Sequence, residues 1–129
     1  MEAKRILQTD VDDTIELLKK MHDLGPKIVV ITDATNGAYI YDGNDVWKIP
    51  MYPDPKPPVD RTGAGDAFSA TFTSAIALGK TIQEALMWGP INSMSVVQYV
   101  GARRGLLTRE ALEKYLAEAP LFYKPERFL

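Results

Sequence analysis

The chain has 129 residues, 46% of them apolar and 25% charged, enough for one modest domain with a real core. Fifteen basic and seventeen acidic residues leave a formal charge of −2, which argues against a nucleic acid or an anionic membrane as partner. There is no cysteine, so disulfides, thiolate metal sites and cysteine nucleophiles are excluded. No apolar run approaches the roughly 20 residues that span a bilayer. The charged first residues do not read as a signal peptide, so the expected location is cytoplasmic.

Residues 1–8 carry no clear pattern. Thr9 or Asp10 can cap a helix with Val11, Ile15, Leu18 and Met21 at helical spacing. Asp12 and Asp13 would sit in its first turn and Lys19 and Lys20 near its end, both favourable to the helix dipole. Gly25-Pro26 stops it. Lys27-Ile28-Val29-Val30-Ile31-Thr32 then reads as a buried strand of a parallel sheet, because it is short and almost wholly β-branched. Residues 38–41 and 46–49 are two more strand-like runs, and Gly43-Asn44 supplies the turn of an antiparallel hairpin.

Residues 50–58 hold Pro50, Pro53, Pro55, Pro57 and Pro58, five of the nine prolines, and predict an extended surface connection. Asp60-Arg61-Thr62-Gly63-Ala64-Gly65-Asp66-Ala67-Phe68 follows. A helix is predicted from Gly65 to about Leu78, with Phe68, Phe72, Ala75 and Ile76 on one face, closed by Gly79. Thr81-Ile82-Gln83-Glu84 is a capping box opening another helix. Gly89-Pro90 lies inside that pattern and predicts a kink or a break, and the run continues to about Tyr99 before Gly101. Thr108 caps a last helix carrying Ala111, Leu112, Tyr115 and Leu116, with Pro120 beyond it. The aromatic and basic tail, residues 121–129, is expected to pack on the surface.

The order is an α/β pattern with too few strands for a complete doubly wound sheet. It reads as a single partial domain, residues 1–129, with the look of the C-terminal portion of something larger.

The chemistry concentrates in residues 60–68. A glycine loop that delivers the chain into a helix N-terminus gathers unpaired N–H groups and the positive end of a dipole, which suits an anion such as phosphate. Asp66 falls in the first turn of that helix. It is either a helix-start carboxylate or a catalytic base, and spacing leaves both readings open. There is no Walker A pattern, and Gly63-Ala64-Gly65 lacks the third glycine of a dinucleotide fingerprint. His22, the single histidine, reads as a helix-surface residue, Trp47 and Trp88 as packing residues, and Arg103 and Arg104 as a solvated turn.

The run Asp60-Arg61-Thr62-Gly63-Ala64-Gly65-Asp66-Ala67-Phe68-Ser69-Ala70 resembles the C-terminal signature of the ribokinase, or PfkB, family of carbohydrate and nucleoside kinases. Thr32-Asp33-Ala34-Thr35-Asn36-Gly37-Ala38 resembles that family's nucleotide loop at the end of a strand. The hairpin, the proline connection and the Gly101-Ala102 turn follow in family order. The resemblance implies the C-terminal portion of a ribokinase-like three-layer α/β/α fold, with its sheet incomplete and the substrate and lid half of the family absent.

It also implies ATP-dependent phosphoryl transfer to a hydroxyl of a sugar or nucleoside. Asp66 would be the general base, and Gly63, Ala64 and Gly65 the anion hole. Thr32, Asp33, Gly37 and Gly65 would border the nucleotide. Pro90 stands where the family has an adenine-side Asn or His, and Asn92 lies two residues along. Asp60, Thr62 and Gly101 resemble a monovalent-cation (K⁺) site, and Glu2 the glutamate of a motif that orders Mg²⁺. Arg61 stands where the family has a small residue, Ala34 and Thr71 where it has glycines. The partners implied are ATP and a small sugar or nucleoside. The alternative is an inactive fragment or a nucleotide-binding module of the same fold, with self-association through an exposed sheet edge.

Overall fold

A computed structural model describes residues 2–128 of the chain. The second helix begins at Asp13, whose carboxylate accepts from the amides of Ile15 at 2.9 Å and Glu16 at 3.3 Å. This cap opens α2 (Thr14–Asp23), three residues later than Asp10, the nearer of the two caps expected. Val11 therefore packs from the connection ahead of the helix rather than from its first turn. An additional short helix, α1 (Glu2–Leu7), precedes it and buries Ala3. Lys4 of α1 ion-pairs with Asp12.

Four strands form one sheet in the order β1 (Val29–Thr32), β2 (Ala38–Tyr41), β3 (Val46–Ile49) and β4 (Glu126–Arg127). β1 pairs antiparallel with β2, with Val29 opposite Tyr41 and Thr32 opposite Ala38. No parallel pairing occurs among the described residues, and the sequence offers no second parallel-type run to supply one. Only residues 33–37 join the two strands, whereas a parallel crossover needs roughly a dozen residues or more. At the other end, β3 pairs antiparallel with β4, Trp47 opposite Arg127 and Lys48 opposite Glu126. The tail thus extends the sheet, which goes beyond the surface packing expected of it.

The β2–β3 turn has the expected chemistry. Asp42 Oδ1 accepts from the amides of Asn44 at 2.9 Å and Asp45 at 2.7 Å, and Gly43 takes φ 96°. Such side-chain-closed turns suit Asp and a left-handed glycine.

The chain divides into two compact units, one holding the residues up to Lys48 together with the segment from Glu126, the other running Ile49–Pro125. In the first, Leu17 and Leu18 of α2 and Ala3 of α1 pack with Val29, Ile31 and Val46 of the sheet. Tyr39 and Tyr41 border the same cluster, as their register opposite Ile31 and Val29 requires.

The second unit is helical: α3 (Ala64–Ala77), α4 (Ile82–Val96) and α5 (Arg109–Ala117). α3 buries Ala67, Phe68, Thr71, Phe72 and Ala75, a stripe at the helical period. α4 opens with the predicted capping box, Thr81 N–H to Glu84 Oε2 at 2.9 Å and Glu84 N–H to Thr81 Oγ1 at 3.1 Å. It runs through Pro90 as one helix, so of the kink or break expected there the break does not occur. Proline there removes one helical hydrogen bond, but every residue from Trp88 to Val96 is buried, so packing holds the helix on both sides of it. Gly89 has a further use: a Cβ built on it would lie 2.7 Å from Phe68 Cε2, so the missing side chain lets α3 approach. Thr108 caps α5 by accepting from the amide of Ala111 at 3.2 Å.

Candidate active site

The approach to α3 is tied down before the helix begins. The amides of Val59 and Asp60 both donate to the Val97 carbonyl, at 2.8 and 3.2 Å. Asp60 Oδ1 accepts from the Thr62 amide at 2.9 Å, and Oδ2 from the Gly101 amide at 3.0 Å. The Thr62 hydroxyl beside it, together with these Gly101 and Thr62 amides, holds the Asp60 carboxyl down at about 2. Asp60, Thr62 and Gly101 are therefore brought together, with the carboxylate engaged by hydrogen-bond donors. The role the geometry displays is a latch on the loop.

Gly63 then turns the chain into the helix in the left-handed region, φ 82° and ψ 2°. A Cβ on it would lie 2.7 Å from Ala102 Cβ and 3.0 Å from Ala102 Cα. Both the backbone angle and the close approach demand glycine here. Gly65 is different, since a Cβ built on it meets nothing within 4 Å. Ala64, Gly65 and Asp66 form the first turn of α3, and the first helical bond runs from the Ala67 amide to the Gly63 carbonyl at 2.8 Å. The amides of Gly63, Gly65 and Asp66 have no acceptor among the described residues. They are donors at the positive end of a 14-residue helix.

Asp66 is exposed and makes no side-chain hydrogen bond or ion pair among the described residues. Gly63 has no side chain with which to cap the helix start, and Asp66 stands in the first turn. Its carboxylate is left without a hydrogen-bond partner among the described residues.

The first unit carries the other glycine turn. Residues 33–37 close on themselves: the Asp33 amide donates to the Gly37 carbonyl at 2.8 Å, and the Asn36 side chain to Asp33 Oδ2 at 3.2 Å. Thr32 ends β1, and Gly37 takes φ 94° and ψ −141°. Ala34 sits at φ 43°, a left-handed conformation that favours glycine, at the position where the family loop has one. Thr32, Asp33 and Gly37 are thus gathered in one turn. Glu2, exposed on α1, lines a cavity of about 230 Å³ that runs along β1 and includes Thr32.

Pro90 and Asn92 are held within the helical unit. Pro90 is fully buried in α4. Asn92, also buried, donates from Nδ2 to Thr71 Oγ1 at 2.8 Å and accepts from the Leu107 amide at 3.0 Å. It lines a cavity of about 310 Å³ together with Trp88, Leu106 and Arg109. Thr71, in place of a family glycine, is therefore Asn92's partner. Sequence reasoning missed two further residues that hold the loop. Ser93 donates to the Ala64 carbonyl at 2.8 Å, and Ala102 is the wall against Gly63. The available signal for Ser93 was a hydroxyl inside an otherwise apolar helix.

A glycine-turned helix start with free amides offers donors that suit an anion such as phosphate. Residues 2–109 match the pfkB family carbohydrate kinase, and the chain belongs to that family. It is similar to an ATP-dependent 6-phosphofructokinase of Thermoanaerobacterium thermosaccharolyticum, 37% identical over 101 residues, covering 78% of this chain and 30% of that protein. It is similar also to a cytidine kinase of Thermococcus kodakarensis, 31% identical over 101 residues, covering 78% of this chain and 36% of the relative. Among solved structures, Arabidopsis thaliana ribokinase complexed with ribose and ATP superposes with a TM-score of 0.80 at 29% identity, over 89% of this chain and 38% of that one. The fold is thus ribokinase-like, and the chain spans about a third of the length of these curated relatives. No helix among the described residues is long and apolar enough to cross a membrane.

Proposed function

We propose that this chain is the nucleotide-handling, base-bearing part of an ATP-dependent kinase that phosphorylates a hydroxyl of a sugar or nucleoside. The observation that carries the reading is the left-handed Gly63 turn, which presents unbonded amides at the start of α3 beside the unengaged Asp66. Asp66 takes the proton of the acceptor hydroxyl as its oxygen attacks the γ-phosphorus of ATP. The bond to the β,γ-bridging oxygen breaks and ADP leaves. The amides of Gly63 and Gly65 face the charge on the transferred group, whereas the Ala64 amide already donates to the Arg61 carbonyl at 3.3 Å. Phosphoryl transfer asks mainly for positioning and electrostatic stabilisation, and a fixed helix N-terminus offers both.

Thr32, Asp33 and Gly37 border the nucleotide in this reading. Mg²⁺ arrives with ATP, since no group of three His, Cys, Asp or Glu side chains suited to a metal occurs among the described residues. Glu2 would act at most through that ion's water. For K⁺ the fit is poorer, because backbone and hydroxyl donors already converge on Asp60, and no step is assigned to it. We take Asn92 and Pro90 as packing residues of α4 rather than adenine contacts. The relatives' acceptors differ, a phosphofructose kinase beside a cytidine kinase, so the acceptor is named only by its hydroxyl. A second reading, a nucleotide-binding module without turnover of its own, keeps the same glycine turn and lacks only the transfer step.

The test is Asp66→Asn in the full-length protein that carries this chain. Turnover should fall by about 10²–10⁴-fold, the usual worth of a general base, with ATP affinity by calorimetry unchanged. A variant that keeps a near-normal rate removes Asp66 from the role. Turnover by the 129 residues alone would exclude the module reading.

A further inference from the structure

Ser93 lies on α4, 5% exposed, and its hydroxyl donates to the Ala64 carbonyl at 2.8 Å. That carbonyl belongs to the same planar peptide as the Gly65 amide. A trans peptide is rigid, so whatever fixes the C=O direction fixes the opposite N–H direction as well. A donor on the carbonyl also polarises the peptide and strengthens its N–H as a donor, because hydrogen bonds in series reinforce one another. The Gly65 N–H has no acceptor of its own among the described residues. We infer that Ser93 is a positioning residue of the phosphoryl-transfer site, acting through the Ala64–Gly65 peptide to aim and strengthen the Gly65 amide.

The surroundings support a directed role over a generic helix tie. The same α4 segment and the turn after it hold this loop at three other points: the Val97 carbonyl, the Gly101 amide and the Ala102 wall behind Gly63. Ser93 alone among them reaches past Gly63 into the helical turn. Its neighbours Asn92 and Ser95 spend their polar atoms elsewhere, on Thr71, Leu107 and Gly105. The buried hydroxyl at 93 is thus the direct polar link between α4 and the first peptide of α3. The inference rests on the phosphoryl-transfer reading above.

The experiment compares Ser93→Ala and Ser93→Cys in the full-length protein with Asp66→Asn as the control. Cysteine keeps the volume and nearly removes the donor. Losing one hydrogen bond of ordinary net strength should lower kcat by roughly 3–10-fold, with KM for ATP and for the acceptor unchanged. In ¹⁵N-labelled chain, the Gly65 amide resonance should shift in both variants, and its response to added inorganic phosphate should weaken about threefold. Equal loss of thermal stability in the two variants with kcat per folded molecule unchanged would show a structural tie only and overturn the inference. If Asp66→Asn retains its rate, the underlying kinase reading fails instead, and the two failures are told apart.

Discussion

Gly63 and Gly65 stand two residues apart, yet the structure predicts opposite effects on stability when each becomes alanine. At Gly63 the left-handed backbone, φ 82°, costs an L side chain roughly 1–2 kcal/mol. The new Cβ would also sit 2.7 Å from Ala102 Cβ, and relieving such overpacking costs about 1–3 kcal/mol. Gly63→Ala should therefore lose about 2–5 kcal/mol in urea unfolding. At Gly65 the space is open within 4 Å and the residue is helical. Gly65→Ala should gain about 0.5 kcal/mol, at the low end of the helix preference for alanine because the site is in the first turn. Its activity should move the other way. If the Gly65 amide meets the phosphoryl group as proposed, a methyl group beside it displaces the reacting atoms, and such a displacement costs about 10²-fold in kcat. Thermal melts and steady-state assays of both variants decide it. A Gly65→Ala protein that is more stable and fully active would refute the placement of the phosphoryl group at this loop.

Other outcomes follow from the same geometry. Asn92→Ala leaves the Leu107 amide without its buried acceptor, at about 1–3 kcal/mol in chemical denaturation. Thr71→Val should then cost less in that background than in the wild type, because the Thr71–Asn92 bond is already gone. Asp60 is held at about 2, below the ordinary carboxylate value near ~3.9. A depressed folded-state value stabilises the protein above the ordinary value, and that stability is lost as pH falls from ~4 towards ~2. Asp60→Asn should flatten this part of the curve of urea midpoint against pH; an unchanged slope would show the latch to be absent in solution. Ala34→Gly should be stabilising by about 0.5–1 kcal/mol, since relief of a left-handed alanine outweighs the added freedom of the unfolded chain.

Much of the fold was written in local signals. The Thr81–Glu84 capping box, the Thr108 cap and the Asp42–Asp45 turn each depend on side chains that satisfy backbone groups a few residues away, so spacing alone reveals them. Long-range choices were harder. Pro90 looks like a helix breaker until the burial on all sides of α4 is known. β1 reads as a parallel strand from its composition, although the five-residue link to β2 already excluded a crossover between those two. β4 has two residues, too few for any pattern. At the candidate site, the glycine turn and helix start at residues 63–66 were legible from the motif, whereas Ser93 and Ala102 contact this loop across the helix pair and no local rule points to them.

Amide spectra of the full-length protein with ADP and aluminium fluoride, a mimic of the transferring phosphoryl group, test the assignment at the atoms concerned. The Gly63, Gly65 and Asp66 amides should shift strongly with the mimic and weakly with ADP alone. If those three stay still while the amides at the start of α5, Arg109 to Ala111, respond instead, the glycine turn before α3 is not where phosphate is transferred.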